Sequence, residues 1–152
     1  MGSQSLIRPY VTQDKSILID LLRLNTPKYF GIEEENDFIL YLENEIESYF
    51  VVEENQQIVG CGGINLNLEK RFGIISWGII HPDFQGQKIG SELLKYRIEF
   101  LKRAYDLEKI IVRTSQLVFR FYEKHGFELK EIHRDYWAKD LDMYLMEIEL
   151  AK

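Results

Sequence analysis

Apolar positions recur at helical spacing in several stretches of this chain. Ile17, Leu18, Leu21 and Leu22 form one stripe and predict a helix that Thr12 can cap and that runs to about 24. Pro27 and Gly31 mark a break. Phe38, Ile39, Leu42 and Ile46 predict a second helix over about 34–47. Leu94, Ile98, Leu101 and Tyr105 give a longer one over about 88–104, and Ser115 can cap a short one through 124, ended by Gly126. Between these lie runs rich in β-branched and aromatic residues. They predict strands at 6–11, 49–53, 57–66, 72–81, 110–113, 127–133 and 142–150, with 134–140 an exposed connection. The order is β-α-α-β-β-β-α-β-α-β-β. An antiparallel start followed by a βαβ unit implies a mixed α/β (α+β) fold, one central mixed sheet with helices on its faces. No repeat or linker interrupts it, so 152 residues read as a single domain, with 1–5 expected to be a flexible end.

Chemistry concentrates in residues 79–91, Ile-Ile-His-Pro-Asp-Phe-Gln-Gly-Gln-Lys-Ile-Gly-Ser. A strand stops at Pro82, a loop with Gly86 and Gly90 follows, and a helix begins. Unpaired N–H groups and the positive end of the dipole make such a helix start a cradle for anions, and glycine lets a phosphate approach the backbone. A P-loop is excluded because Gly90 runs straight into Ser91, and the dinucleotide fingerprint fails on spacing.

What the segment resembles is the acetyl-CoA loop of the GNAT N-acetyltransferase superfamily, Arg/Gln-x-x-Gly-x-Gly/Ala, with Gln85, Ile89 and Gly90 in place and Lys88 where the family usually has its middle glycine. Downstream, 121–127 reads Phe-Tyr-Glu-Lys-His-Gly-Phe and resembles the family's Phe-Tyr-x-x-x-Gly-Phe signature, after the β-branched run at 110–112. The resemblance covers residues 6–150. It implies about seven strands and four helices, with the strands before and after the long helix splayed apart to admit acyl-CoA. It also implies direct transfer of acetyl from acetyl-CoA to a primary amine in a ternary complex, in a cytoplasmic protein for which a homodimer is unsurprising. Gln85, Gly86, Gln87, Lys88, Ile89, Gly90 and Ser91 would hold the pyrophosphate, beside Ile80 and His81. The Ile80 N–H would face the thioester carbonyl and Tyr122 would be the general acid for the departing thiolate. Ser115 stands where the family often has an asparagine touching the cofactor.

Composition narrows the field further. A net charge of −6 and a pI of about 5.2 argue against general nucleic-acid binding, and no apolar run is long enough to span a membrane. Cys61 is alone and reads as core. His81, His125 and His133 lack metal-ligand spacing, so no metal is expected. The general base is not visible: 72–80 carries no carboxylate, which leaves His81, Glu33, Glu34, Glu35 or a water relay. Residues 31–55 hold Glu33, Glu34, Glu35, Asp37, Glu43, Glu45, Glu47, Glu53 and Glu54 with no Lys or Arg. That run is either a solvated face or, as the resemblance implies for the first helices, an acidic wall that draws in a cationic amine. Trp137 is a further candidate for the acceptor side. Two rival readings remain: a non-catalytic acyl-CoA sensor, and an interaction module built on Tyr136 and Trp137.

Overall fold

A computed structural model describes residues 5–86 and 88–150. Seven strands form one sheet in the order β1-β2-β3-β4-β5-β7-β6: β1 (Ser5–Pro9), β2 (Ser48–Glu54), β3 (Gln57–Asn67), β4 (Phe72–Ile80), β5 (Lys109–Thr114), β6 (Glu128–Ala138) and β7 (Leu141–Glu149). Four α-helices cover it among the described residues: α1 (Lys15–Leu24), α2 (Glu34–Leu40), α3 (Ile89–Ala104) and α4 (Phe119–Lys124). The predicted element order is the observed one. Among the described strands β4 and β5 are the parallel pair, and α3 carries the chain back between them as a crossover connection.

The differences have local causes. Ser5, expected in the flexible end, is paired with Glu54 in β1, and the rest of that end, 1–4, lies outside the described residues. α1 is preceded by a 3₁₀ turn (Thr12–Asp14), so Asp14 rather than Thr12 takes its N-cap position; the carboxylate makes no bond to α1 but accepts the Val11 N–H at 2.9 Å and the Nη1 and Nη2 of Arg8. α2 is shorter than its apolar stripe and ends in a π turn (Tyr41–Glu45). The widened turn lets Tyr41 and Leu42, adjacent in sequence, both enter the core. β6 absorbs the segment expected to be an exposed connection. Its register jumps from His133↔Met143 to Ala138↔Leu141, so the extra residues of β6 stand out as a bulge containing Trp137, with Asp135 at φ 52°. Asn55 and Gln56 both take positive φ and close the two-residue turn between β2 and β3.

The core lies on both faces of the sheet. On one, Leu18, Leu21, Leu22 and Phe38 of α1 and α2 pack on Tyr49, Val51, Ile58, Cys61 and Ile79. On the other, Leu94 and Leu101 of α3 and Tyr122 of α4 pack on Ile64, Ile75, Ile110, Val112 and Met146. Ile89 and Leu93 extend that layer onto Phe50, Val52 and Val59. α3 lies very close to β3 at Gly62, where a Cβ would come 2.7 Å from the Arg97 guanidinium. No described helix is long and apolar enough to cross a membrane.

Candidate functional site

The site is where the sheet comes apart. β4 and β5 pair only through Phe72↔Lys109, Gly73↔Ile110, Ile74↔Ile111 and Ile75↔Val112. Beyond Ile75, β4 stays with β3 while β5 stays with β7. A cleft of about 1130 Å³ opens between them. β4 carries one residue more than β3 at this point: Cys61↔Ile79 is followed by Gly63↔Ser76, and Trp77 sits at φ 43°. Such a bulge re-aims the strand next to the gap. His81 N–H donates to Val59 O at 2.8 Å. Alternation along an antiparallel ladder therefore turns the Ile80 N–H away from β3 and toward the opening, where no β5 residue pairs with it.

The glycine loop caps one end of the cleft. Gly86 (φ 84°) and Lys88 (φ 70°) both take the left-handed conformation, and α3 starts directly after. Lys88 thus keeps the backbone shape a glycine would adopt at that position. The loop is anchored from below. Gln85 Nε2 donates to Ile80 O at 3.2 Å and to Asn25 Oδ1 at 3.1 Å, and the buried Asn25 amide donates in turn to Ile80 O and Leu21 O. Ser91 Oγ lies 3.0 Å from His125 Nε2, which ties the start of α3 to the end of α4. Burial and the neighbouring Lys95 and Lys124 push the His125 imidazole below its ordinary range.

Tyr122 points into the centre from α4. It is buried, edge-on to Phe121 and Phe127. Its hydroxyl lies near Gly78, where a Cβ would be 3.8 Å from the oxygen and 3.4 Å from Arg97 Nη2. Arg97, on α3, is only 2% exposed. Its bonds go to the carbonyls of Leu93, Gly63 and Ser76, and no carboxylate pairs with it among the described residues. Burial raises the Tyr122 hydroxyl pKa and the nearby guanidinium opposes that rise. Burial also lowers the pKa of Arg97 itself.

The far end is aromatic and acidic. Phe30, Tyr41, Trp77 and Trp137 line it, with Phe30 and Trp77 stacked at 6.2 Å between ring centroids. The Trp137 indole donates to Thr114 O at 3.0 Å, which folds the β6 bulge over the end of β5. Across from it, Gly31 approaches so closely that a Cβ there would meet Trp137 O and Ala138 Cβ at 2.9 Å. Glu34 lies beside this contact, buried, and its Oε2 accepts the Gly31 N–H at 2.7 Å. Burial first, and then the nearby Asp37 charge, raise its carboxyl to about 7. Glu45 and Glu47 stand at the same end, and Glu47 is fixed by Asn65 Nδ2 and the Leu66 N–H.

Of the residues singled out from sequence, Ile80, Gln85, Gly86, Lys88, Gly90, Ser91, Ser115, Tyr122, Glu34 and Trp137 line the cleft together. Others are not brought in. Ile89 is core, packed in the layer with Phe50 and Val59. The His81 ring accepts the Asp83 N–H and stacks edge-on against Phe84, facing a smaller hollow beside α1. Glu33 is exposed, and Glu35 is engaged by Arg23 at 2.6 Å on the surface. Gln87 lies outside the described residues. Ser115 does not cap α4 directly. Its Oγ accepts the Leu117 N–H and so sets the turn before the helix. Among the described residues, no group of His, Cys, Asp or Glu is placed to hold a metal. Sequence reasoning missed Arg97, Asn25, Tyr41 and Trp77. Arg97 left a signal: it falls between Leu93 and Leu101 at four-residue steps, a charge inside an apolar stripe.

Comparison with known proteins points one way. A family model described as "Acetyltransferase (GNAT) family" matches residues 17–127. An amino-acid acetyltransferase of Pasteurella multocida is 26% identical over 132 residues, which are 87% of this chain and 29% of that protein. The chain thus spans less than a third of the length of that relative. Among solved structures, the ribosomal-protein-S18-alanine N-acetyltransferase of Escherichia coli superposes with a TM-score of 0.79 at 18% identity, covering 98% of this chain and 96% of that one. A GNAT family acetyltransferase of Elizabethkingia anophelis, with acetyl-CoA bound, gives a TM-score of 0.74 at 24% identity over 96% and 98%.

Proposed function

This chain belongs to the acetyltransferase (GNAT) family, and from that premise we propose that it moves acetyl from acetyl-CoA to a primary amine by direct transfer in a ternary complex. The observation that carries the reading is one cleft, opened by the parting of β4 and β5, that holds the glycine loop at one end, Tyr122 at the centre and a carboxylate among aromatics at the other. Acetyl-CoA is the acyl donor. Its pyrophosphate would lie on the N–H groups at the start of α3, with Lys88 adding a charge-assisted contact. Its thioester would reach the gap beside the Ile80 N–H. That N–H suits an oxyanion better than a carbonyl oxygen, and such a donor is worth about 3–4 kcal/mol in the transition state.

The amine nitrogen attacks the thioester carbon, and the C–N bond forms as the oxygen takes up charge. Collapse of that intermediate breaks the C–S bond. The departing thiolate takes the Tyr122 proton, and the tyrosinate, stabilised by Arg97, recovers one from the new amide nitrogen. The acidic far end favours an acceptor that arrives positively charged.

The test is thiol release, followed with a thiol-reactive dye, when acetyl-CoA and a panel of primary amines are given to the protein. An amine-dependent signal together with an acetylated amine by mass spectrometry is the expected result. Coenzyme binding by calorimetry without turnover on any amine would turn the reading toward an acyl-CoA sensor. No coenzyme binding at all would remove both.

A further inference from the structure

We propose that Glu34 is the general base of this reaction, the group that takes the first proton from an acceptor arriving as an ammonium ion. The inference deepens the transfer reading above and rests on it. The reaction needs such a group: an alkylamine is protonated at neutral pH, has no lone pair in that form, and must lose one proton before it can attack. β4 supplies no carboxylate, and the His81 ring is on the wrong side of its strand.

Glu34 is the one carboxylate both lining the cleft and buried. One oxygen, Oε2, is held by the Gly31 N–H. The other accepts no hydrogen bond among the described residues, and no buried polar side-chain atom is left unsatisfied among them, so Oε1 meets solvent on a residue that lines the cleft. Among the described residues no lysine or arginine pairs with the group, Arg113 of the cleft wall included. Arg23 is taken by Glu35, and Arg97 is bonded to backbone carbonyls. The charge that bears on Glu34 is Asp37 on its own helix. The β6 segment packed against Gly31 contributes the Trp137 carbonyl and the Ala138 methyl, which carry none, and the titratable side chains sharing this end of the cleft are Tyr29, Tyr41, Glu45 and Glu47. A carboxyl raised to about 7 accepts a proton far more readily than an ordinary one and is still ionised in a useful fraction at neutral pH.

The proton balance closes. Glu34 takes one proton from the ammonium before attack. Tyr122 gives one to the thiolate and regains one from the amide nitrogen, and Glu34 releases its proton to water, so each turnover yields amide, free thiol and one proton. The acceptor class follows: primary alkylamines that are cations at neutral pH, carried between the Phe30, Tyr41, Trp77 and Trp137 rings, whose faces attract positive charge.

The decisive measurement is the pH profile of kcat for wild type and Glu34→Gln, with 1,4-diaminobutane, tyramine and glycinamide as probes. Gln keeps an oxygen for the Gly31 N–H, and Glu34→Asp serves as a second variant that retains the charge one methylene back. The expected result is a wild-type kcat that climbs through an acid limb near the Glu34 pKa. The Gln variant should fall by about 10²–10⁴-fold at neutral pH, with unchanged affinity for acetyl-CoA. Its activity should then recover at alkaline pH, where the amine deprotonates in solution, and Asp should retain part of the activity. An unchanged kcat in Glu34→Gln, or a loss confined to KM, overturns the base and leaves the transfer intact. Failure of wild type to acetylate any of the three amines removes the transfer reading for this class and the base with it.

Discussion

Tyr122 reaches the middle of the cleft, buried on α4 against Phe121 and Phe127. Its hydroxyl is placed to protonate a thiolate, so Tyr122→Phe is expected to lower kcat by about 10²–10⁴-fold and to leave acetyl-CoA affinity near wild type by calorimetry. Burial raises that hydroxyl's pKa, and Arg97 holds it below where burial alone would put it. Arg97→Met removes the positive charge and keeps most of the volume. The alkaline limb of kcat should then move to higher pH, because an opposite charge nearby favours the ionised phenol. Circular dichroism would verify that the variant is folded. Of this pair, only Tyr122 was legible in the sequence, through the residues around it. Arg97 showed only as a charge inside an apolar stripe, and its role did not show, because its partners are carbonyls of Gly63 and Ser76, and backbone acceptors leave no trace in a residue pattern. Glu34 was legible only as one of three neighbouring acids. Helix geometry separates them, turning 34 inward while 33 stays in solvent and 35 meets Arg23.

At the scale of elements, the loop before α3 carries a conflict between stability and binding. Lys88 is held in a left-handed conformation that costs a side-chain-bearing residue about 1–2 kcal/mol. Lys88→Gly relieves that cost but adds freedom to the unfolded chain worth about 0.4–1 kcal/mol. The variant should therefore be slightly more stable in urea denaturation, by about 0.5 kcal/mol, and should bind coenzyme A more weakly through loss of a cation. Gains in both quantities would show that the lysine does not meet the phosphates. Element order was readable throughout, since each apolar stripe or β-branched run became the element its period implied. The ends were less so. The π turn after α2 depends on Tyr41 finding Asn65 Oδ1 at 2.8 Å, a partner 24 residues away, and the β6 bulge depends on Trp137 finding Thr114 O. Local patterns do not encode contacts of that range.

For the molecule as a whole, Glu34 couples folding to acidity. In the folded chain it holds its proton up to about 7, whereas the unfolded group releases it near 4.5. Between these values the folded state binds more protons, so the contribution of this group to stability falls as pH rises through that window and is level above it. Glu34→Gln should abolish this component, and the variant should gain on wild type from pH 5 to pH 7 in parallel thermal melts. Equal pH dependence in the two proteins would mean that the carboxyl titrates as an ordinary surface acid.

One more feature acts at this scale. Cys61 is fully enclosed, its sulfur 3.3 Å from the Tyr49 hydroxyl and its thiol pushed up to about 12 by burial. Alkylating reagents attack thiolates, and this one neither ionises near neutral pH nor meets solvent. The chain therefore contains its own reporter of breathing: modification of its single thiol will proceed only as fast as the layer under α1 and α2 opens. Mass spectrometry of that slow alkylation, with and without acetyl-CoA, reads how far the donor quiets the scaffold, in a protein with no other thiol to label.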